Sequence, residues 1–205
     1  PMTAARPPML TPDNLRDLAS HLLKRFRAFV RGKGDAVEMQ AIASAFGVAV
    51  LLGAGVPTGP DFLTRWWTTL GPVIYAPSLR AADLSDSVPV LSHELGHVVQ
   101  FWRDPIGYLR RYLTSRGRAE LEAEAERGRL EVCWLLWGAL PSLDDIDTTR
   151  HGYALDDSHA DLTRDLLEQA ATAVQSGLVS TDVGLEVLVW MRQHHPAAIM
   201  GRVQP

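Results

Sequence analysis

The chain has 205 residues, of which 46% are apolar and 21% are charged, as in an average globular protein. This composition excludes a disordered or fibrous chain and predicts one domain with a buried core. The net charge of −4 disfavours a general nucleic-acid binder. With Cys133 as the only cysteine, neither an internal disulfide nor a cysteine-ligated zinc cluster can hold the fold together.

Residues 1–10 are proline-rich and lack the apolar core of a secretory signal, so we predict a flexible N-terminus and a cytoplasmic protein. The most apolar stretch, residues 41–56, contains three glycines and is shorter than the roughly 20 residues that cross a bilayer. We therefore expect neither a membrane nor a nucleic acid among the partners of the chain.

The N-terminal part, residues 11–56, is predicted to form a pair of helices. Thr11, Pro12 and Asp13 offer an N-cap, a proline at the first helical position and an acid in the first turn. Apolar residues recur at helical spacing from Leu15 to Val30, so this helix is expected to end at Gly32. The second helix is predicted at residues 35–52.

The central part, residues 64–140, begins with the best strand signal of the chain. Residues 66–75 combine tryptophans with β-branched residues, and Pro72 predicts a sheet edge or a bulge because proline cannot donate to a central ladder. Helical spacing then returns from Val88 to Val99 and again over residues 118–137. In the C-terminal part, residues 141–205, two more helices are predicted at residues 158–176 and 181–194.

Residues 93–97 read His-Glu-Leu-Gly-His and carry the clearest chemical signal. On a helix, His93 and His97 project from one face on successive turns, so two imidazole nitrogens can reach one metal ion at about 2.0–2.1 Å. Glu94 lies one step round the helix, where its carboxylate can bond a water molecule on the metal and act as a general base. Composition alone gives about 0.01 chance occurrences of this pattern, so two unrelated histidines are the weaker interpretation.

A third ligand has to come from another segment, and the predicted helix at residues 118–137 offers four acids: Glu120, Glu122, Glu124 and Glu126. Glu122 lies beside the inward apolar stripe of that helix, so we select it as the metal ligand, with the other three as alternatives. Glu126, one turn further on the same face, can accept a hydrogen bond from the outer nitrogen of a ligand histidine. Glu120 and Glu124 are expected on the polar side of the helix, together with Glu131.

These two segments resemble the gluzincin metallopeptidases, particularly the short single-domain kind found among prophage and bacterial accessory proteins. The resemblance rests on residues 93–97 and on Glu122-Ala123-Glu124-Ala125-Glu126, which is similar to the family pattern of Glu, two residues, Ala, and then Asp or Asn. It extends from Trp66 to Trp137. It implies a mainly helical α+β fold: a zincin-like core with a small edge-strand sheet, a motif helix and a glutamate helix, flanked by N- and C-terminal helices.

The function that the resemblance implies is zinc-dependent hydrolysis of peptide bonds, with Zn²⁺ held by His93, His97 and Glu122 and with Glu94 as the general base. The peptide or protein substrate would pair with an edge strand above the motif helix, for which residues 71–75 are the fitting segment. Four residues are candidates for an additional oxyanion donor: Tyr108, Tyr112, His151 and Tyr153.

Two other functions stay open from the sequence. In the first, the zincin-like fold is a catalytically silent or highly restricted module for binding or assembly, which docks a protein partner through its apolar helices. In the second, the chain is an effector protease that is delivered to another cell and carries out the same chemistry there.

Overall fold

The computed structural model describes residues 10–34, 36–51, 59–77, 85, 87–144, 155 and 157–203. These residues form an α+β structure that is mainly helical, which confirms the predicted fold class. The helices are α1 (Pro12–Arg25), α2 (Val37–Leu51), α3 (Gly59–Arg65), α4 (Val88–Arg103), α5 (Pro105–Tyr112), α6 (Ser115–Trp137), α7 (Asp157–Gln175), α8 (Asp182–His194) and α9 (Pro196–Ile199); the strands are β1 (Phe29–Gly32), β2 (Thr68–Leu70) and β3 (Val73–Ala76). None of the helices in the described ranges has both the length and the apolar character that a bilayer crossing requires.

Helix α1 begins as predicted but ends earlier. The Thr11 hydroxyl accepts a hydrogen bond from the Asn14 backbone N–H at 3.2 Å, and the Asn14 side chain accepts one from the Thr11 N–H at 3.0 Å. The chain then turns at Arg27, whose φ is +53°, and Phe29 and Val30 enter strand β1. The prediction that these two residues continue the first helix is wrong, because β1 is formed by pairing with a strand more than 40 residues away, Phe29 opposite Val73.

The sheet has the strand order β1-β3-β2, with β3 parallel to β1 and antiparallel to β2. The prediction that residues 71–75 form an edge strand is therefore wrong, since Val73 to Tyr75 lie in the central strand. Pro72 lies in the turn between β2 and β3, where the ladder needs no N–H from it, while its carbonyl accepts from the Phe29 N–H at 2.9 Å. The edge strand that contacts α4 is β2.

The predicted helices at residues 88–99, 118–137, 158–176 and 181–194 are observed as α4, α6, α7 and α8. The main core lies between α1, α4, α6 and α8 and includes Leu95, Val132 and Val187, all fully buried. On its other side, α6 packs against α7 through a second cluster around Leu130 and Leu167. Helix α6 is thus covered from two directions, and the single cysteine of the chain lies buried on it.

One acid of α6 lies where the sequence did not place it. Glu131, expected on the polar side, is fully buried, and its carboxylate accepts hydrogen bonds from the backbone and hydroxyl groups of Ser180 and Thr181 at 2.5–3.2 Å. Arg127 donates to the same carboxylate at 3.1 Å. The helix pattern alone gave no sign of this contact, because it is made by the turn that precedes α8.

Candidate metal centre

Three side chains from α4 and α6 converge beneath the sheet. His93 Nε2 and His97 Nε2 lie 3.2 Å apart, and Glu122 Oε2 lies 3.3 Å from the first and 3.2 Å from the second. All three residues are buried, and they form a group that could hold a metal ion, with ligand atoms within 4.8 Å of one another. Of the four acids considered from the sequence, Glu122 is the one placed against both imidazoles.

The close approach of α4 and α6 brings these ligands together. Gly96 lies between the two histidines, and a Cβ at this position would be 3.0 Å from the Ala125 Cα and 3.1 Å from its Cβ. Leu121 and Ala125 are buried, and both contact α4: Ala125 lies against Gly96, and the Leu121 carbonyl accepts a hydrogen bond from Gln100. Glu122, next to Leu121, therefore points into the contact between the two helices.

The size of the triangle suits one face of a tetrahedral site. Ligand bonds of about 2.0–2.1 Å place neighbouring ligand atoms of a tetrahedron about 3.3–3.4 Å apart. The observed edges of 3.2, 3.2 and 3.3 Å agree with this spacing. The second carboxylate oxygen of Glu122, Oε1, is buried and has no hydrogen-bond partner among the described residues. A donor set of two imidazoles and one carboxylate is one that zinc accepts in catalytic sites.

The electrostatics of the triad also favour a cation. Burial opposes ionisation of Glu122, yet the neighbouring imidazoles outweigh it and lower the pKa of the carboxyl to about 2. Burial likewise opposes protonation of His93, but the carboxylates of Glu126 and Glu122 raise its pKa well above 6.5, and Glu122 raises the pKa of His97. The cluster therefore binds positive charge strongly, either as protons on the imidazoles or as a metal ion that replaces them.

Glu126 lies behind His93, but the hydrogen bond expected between them from the sequence is not formed. Its Oε1 is 3.2 Å from His93 Nδ1, although this nitrogen makes no hydrogen bond of good geometry with any described residue, so the contact is electrostatic. Arg129 Nη1 approaches both oxygens of Glu126, at 3.3 and 3.4 Å. The site thus holds three carboxylates, those of Glu94, Glu122 and Glu126, against the guanidinium of Arg129 and the ammonium of Lys33 near Glu94.

Glu94 is buried beside the triad and is held by the edge strand. The hydroxyl of Thr69, the middle residue of β2, donates to Glu94 Oε2 at 2.6 Å. Glu94 lines the same cavity as the triad. One of its carboxylate oxygens is thus fixed by the edge strand, at the wall of the cavity that the triad faces.

Comparisons with models of protein families, with curated proteins and with solved structures find no match. The chemistry of the site therefore has to be inferred from its own residues.

The triad opens into a cavity of about 530 Å³. Its walls are mostly apolar and come from five directions: Ile42 and Phe62 of α2 and α3, Trp66, Trp67 and Leu70 at β2, Val90 of α4, and Tyr108, Leu109 and Tyr112 of α5. Burial, together with the negative Glu122 and Glu94, raises the pKa of Tyr108 and of Tyr112, so both phenols stay protonated as donors. The other two candidates for an oxyanion donor, His151 and Tyr153, lie outside the described residues.

The alternative ligands from the sequence have other partners. Glu120 pairs with Arg111 and Arg116 on the surface, at 3.2 and 3.0 Å. Glu124 pairs with Arg103 and also accepts a hydrogen bond from the side chain of Gln100 at 3.1 Å. Two residues that contact the site, Thr69 and Gln100, were not selected from the sequence. The spacing of Gln100, three residues after His97 on a helix, was the one available signal for it.

Proposed function

We propose that this chain is a zinc-dependent metallopeptidase of the gluzincin type. The observation that carries the proposal is the buried triangle of His93, His97 and Glu122 with the carboxylate of Glu94 beside it in an open cavity. A purely structural zinc site normally closes all four positions with protein ligands, whereas three ligands facing a cavity leave one position for water or substrate. That arrangement supports a catalytic site.

In this proposal, bound zinc supplies a Lewis acid that polarises the scissile carbonyl and acidifies a water molecule. Glu94 would accept a proton from the water whose oxygen attacks the scissile carbonyl carbon, and would pass it to the amine nitrogen as the C–N bond breaks, acting as a general base and then as a general acid. The hydrogen bond from Thr69 holds the carboxylate in place for both steps. Glu126 stabilises His93 through its charge and so supports the ligand from behind.

The substrate is proposed to be an extended peptide. Strand β2 is at an edge of the sheet formed by the described residues, where an extended peptide could add a strand. A cavity of about 530 Å³ with aromatic and aliphatic walls favours bulky apolar side chains near the scissile bond. Tyr108 and Tyr112 line the same cavity and are the described candidates for donating to an oxyanion.

Glu94→Gln tests the proposal directly. We expect this variant to retain zinc, measured by elemental analysis of the purified protein, and to lose at least about 100-fold in cleavage of a fluorogenic peptide library. Glu120→Gln, on the surface side of α6, is the matched control and should retain both properties. Glu122→Ala should lose zinc, whereas Glu120→Ala should not.

Two results would contradict the proposal. A wild-type protein that holds no zinc, or that loses it through Glu120→Ala and not through Glu122→Ala, rules out the proposed ligand set. A wild-type protein that holds zinc but cleaves no peptide favours the second candidate function, a zincin-like module for binding or assembly. Such a module has a metal site but no catalytic activity.

A further inference from the structure

The side chain of Gln100 bridges α4 and α6 directly behind the candidate metal centre. It is 94% buried, so its amide group has to form its hydrogen bonds with other protein groups. Its Oε1 is 2.9 Å from His97 Nδ1, and its Nε2 donates to the Leu121 carbonyl at 2.8 Å and to Glu124 Oε2 at 3.1 Å. One amide thus contacts a metal-ligand histidine and the backbone next to the third ligand, Glu122.

The orientation of this amide follows from its partners. A backbone carbonyl and a carboxylate can only accept hydrogen bonds, so the NH₂ group of Gln100 has to face Leu121 and Glu124. Rotating the amide by half a turn would bring its oxygen against two acceptor oxygens. The carbonyl oxygen of Gln100 is therefore the atom that faces His97.

We propose that Gln100 is a positioning residue that holds His97 in the tautomer required for metal binding. An amide oxygen is an acceptor, so His97 Nδ1 has to carry the proton of their hydrogen bond. The lone pair of the ring is then on Nε2, the atom that lies 3.2 Å from both His93 Nε2 and Glu122 Oε2. Gln100 acts through His97 and does not touch the substrate. The inference rests on the proposed metal site but not on peptide hydrolysis.

The amide is itself held by a chain of charged groups that reaches α8. Arg103 donates to Glu124 Oε1 at 2.5 Å and to Asp182 Oδ2 at 3.0 Å. Glu124 is thereby fixed where its second oxygen accepts from Gln100. Glu124, which was expected on a solvated face of the helix, thus helps to hold the amide that contacts the proposed metal ligand His97.

Gln100→Met tests the inference, because methionine is close to glutamine in size but has neither the amide donor nor its oxygen. We expect zinc affinity, measured by competition with a chromophoric chelator, to fall about 10- to 100-fold. Gln40→Met is the matched control: Gln40 is an exposed glutamine whose Nε2 donates to the Gly34 carbonyl and which neither lines the cavity nor contacts a proposed ligand, so its loss should leave zinc affinity unchanged. Circular dichroism and thermal denaturation establish that each variant is folded.

A second measurement addresses the hydrogen bond itself. In the zinc-loaded wild type, the Nδ1 proton of His97 should give a downfield NMR signal that exchanges slowly with water, and this signal should be lost or exchange rapidly in Gln100→Met. Unchanged zinc affinity in a folded Gln100→Met, or a rapidly exchanging Nδ1 proton in the wild type, would overturn the inference.

The inference and the proposed function fail in different ways. A protein that binds zinc with the protected Nδ1 proton but cleaves no peptide contradicts hydrolysis alone. A wild type that binds no zinc contradicts the proposed function, and the tautomer of His97 is then read by nitrogen NMR in alkaline solution. There, a proton on Nδ1 supports the role of Gln100, and one on Nε2 refutes it.

Discussion

Replacing Gly96 by alanine should separate the two helices that carry the metal ligands. The added Cβ would lie 3.0 Å from the Ala125 Cα and 3.1 Å from its Cβ, whereas carbon atoms in favourable contact lie about 3.5–4.0 Å apart. Because the obstacle is the α6 backbone and a short side chain, no rotamer change can relieve the overlap. Helices α4 and α6 would have to move apart by about 0.5 Å.

Two opposing effects set the size of the change in stability. Overpacking of a well-packed core costs about 1–3 kcal/mol. Alanine is favoured over glycine inside a helix by about 1 kcal/mol. We therefore expect Gly96→Ala to lower the free energy of unfolding by about 1 kcal/mol. Separation by about half an ångström would also move Glu122 away from the imidazoles, so zinc affinity should fall by about tenfold or more.

Gly128→Ala is the matched control on the facing helix. A Cβ at Gly128 would meet its nearest atom, the Thr181 hydroxyl oxygen, at 3.5 Å, which is an ordinary contact. This variant should gain up to about 1 kcal/mol from helix propensity and keep its zinc affinity. Urea denaturation and chelator competition on both variants measure the two quantities. If Gly96→Ala is as stable as Gly128→Ala and binds zinc as tightly as the wild type, the helix contact does not set the ligand spacing.

Three further predictions concern buried charges. Glu131→Gln would set an amide NH₂ against the donors of Ser180 and Thr181, so the free energy of unfolding in urea should fall by about 3 kcal/mol while zinc content stays unchanged; an effect below about 1 kcal/mol would contradict this assignment. Lys33 is fully buried, and burial lowers its pKa to about 8 despite the nearby Glu94, so its charge destabilises the fold below pH 8. Lys33→Met removes the hydrogen bond from Lys33 Nζ to the Phe62 carbonyl at every pH, so the test is the pH dependence: the melting temperature of the variant relative to the wild type should be highest near pH 7 and should fall as pH rises from about 8 to 10.5, and a difference that grows with pH would be inconsistent with this. The raised pKa values of His93 and His97 stabilise the metal-free protein most below about pH 6.5, a contribution that is lost as pH rises through those pKa values. Zinc needs neutral imidazoles, so the increase in melting temperature on adding zinc should be larger at pH 8 than at pH 6, and the reverse order would contradict the ligand assignment.

The placements that the sequence predicted and the structure reproduces are properties of single helices. Two histidines four residues apart face the same way on any helix, and the buried stripe of α6 selects Glu122 from four neighbouring acids. The same local reasoning failed at Phe29 and Val30. Their apolar spacing fits a helix as well as a strand. They form a strand because they pair with the distant strand β3.

Other features depend on partners that no local pattern shows. Pro72 was interpreted as part of an edge strand, but a proline is equally acceptable in the turn that it occupies before the central strand. Thr69 reaches Glu94 from a separate strand. Glu131 has the charge of a surface residue and is buried because Ser180 and Thr181 supply its donors. None of these roles can be predicted without knowing the tertiary contacts.

The double covering of α6 limits how far the chain can be shortened. The ligands span only residues 93–122, so the segment from β2 to Trp137 looks sufficient as a minimal metal-binding peptide. Cutting there would expose Leu130 and the carboxylate of Glu131 to water and remove the partners of both. A miniature version of this centre would need either the two helices α7 and α8 or a redesigned outer face for α6.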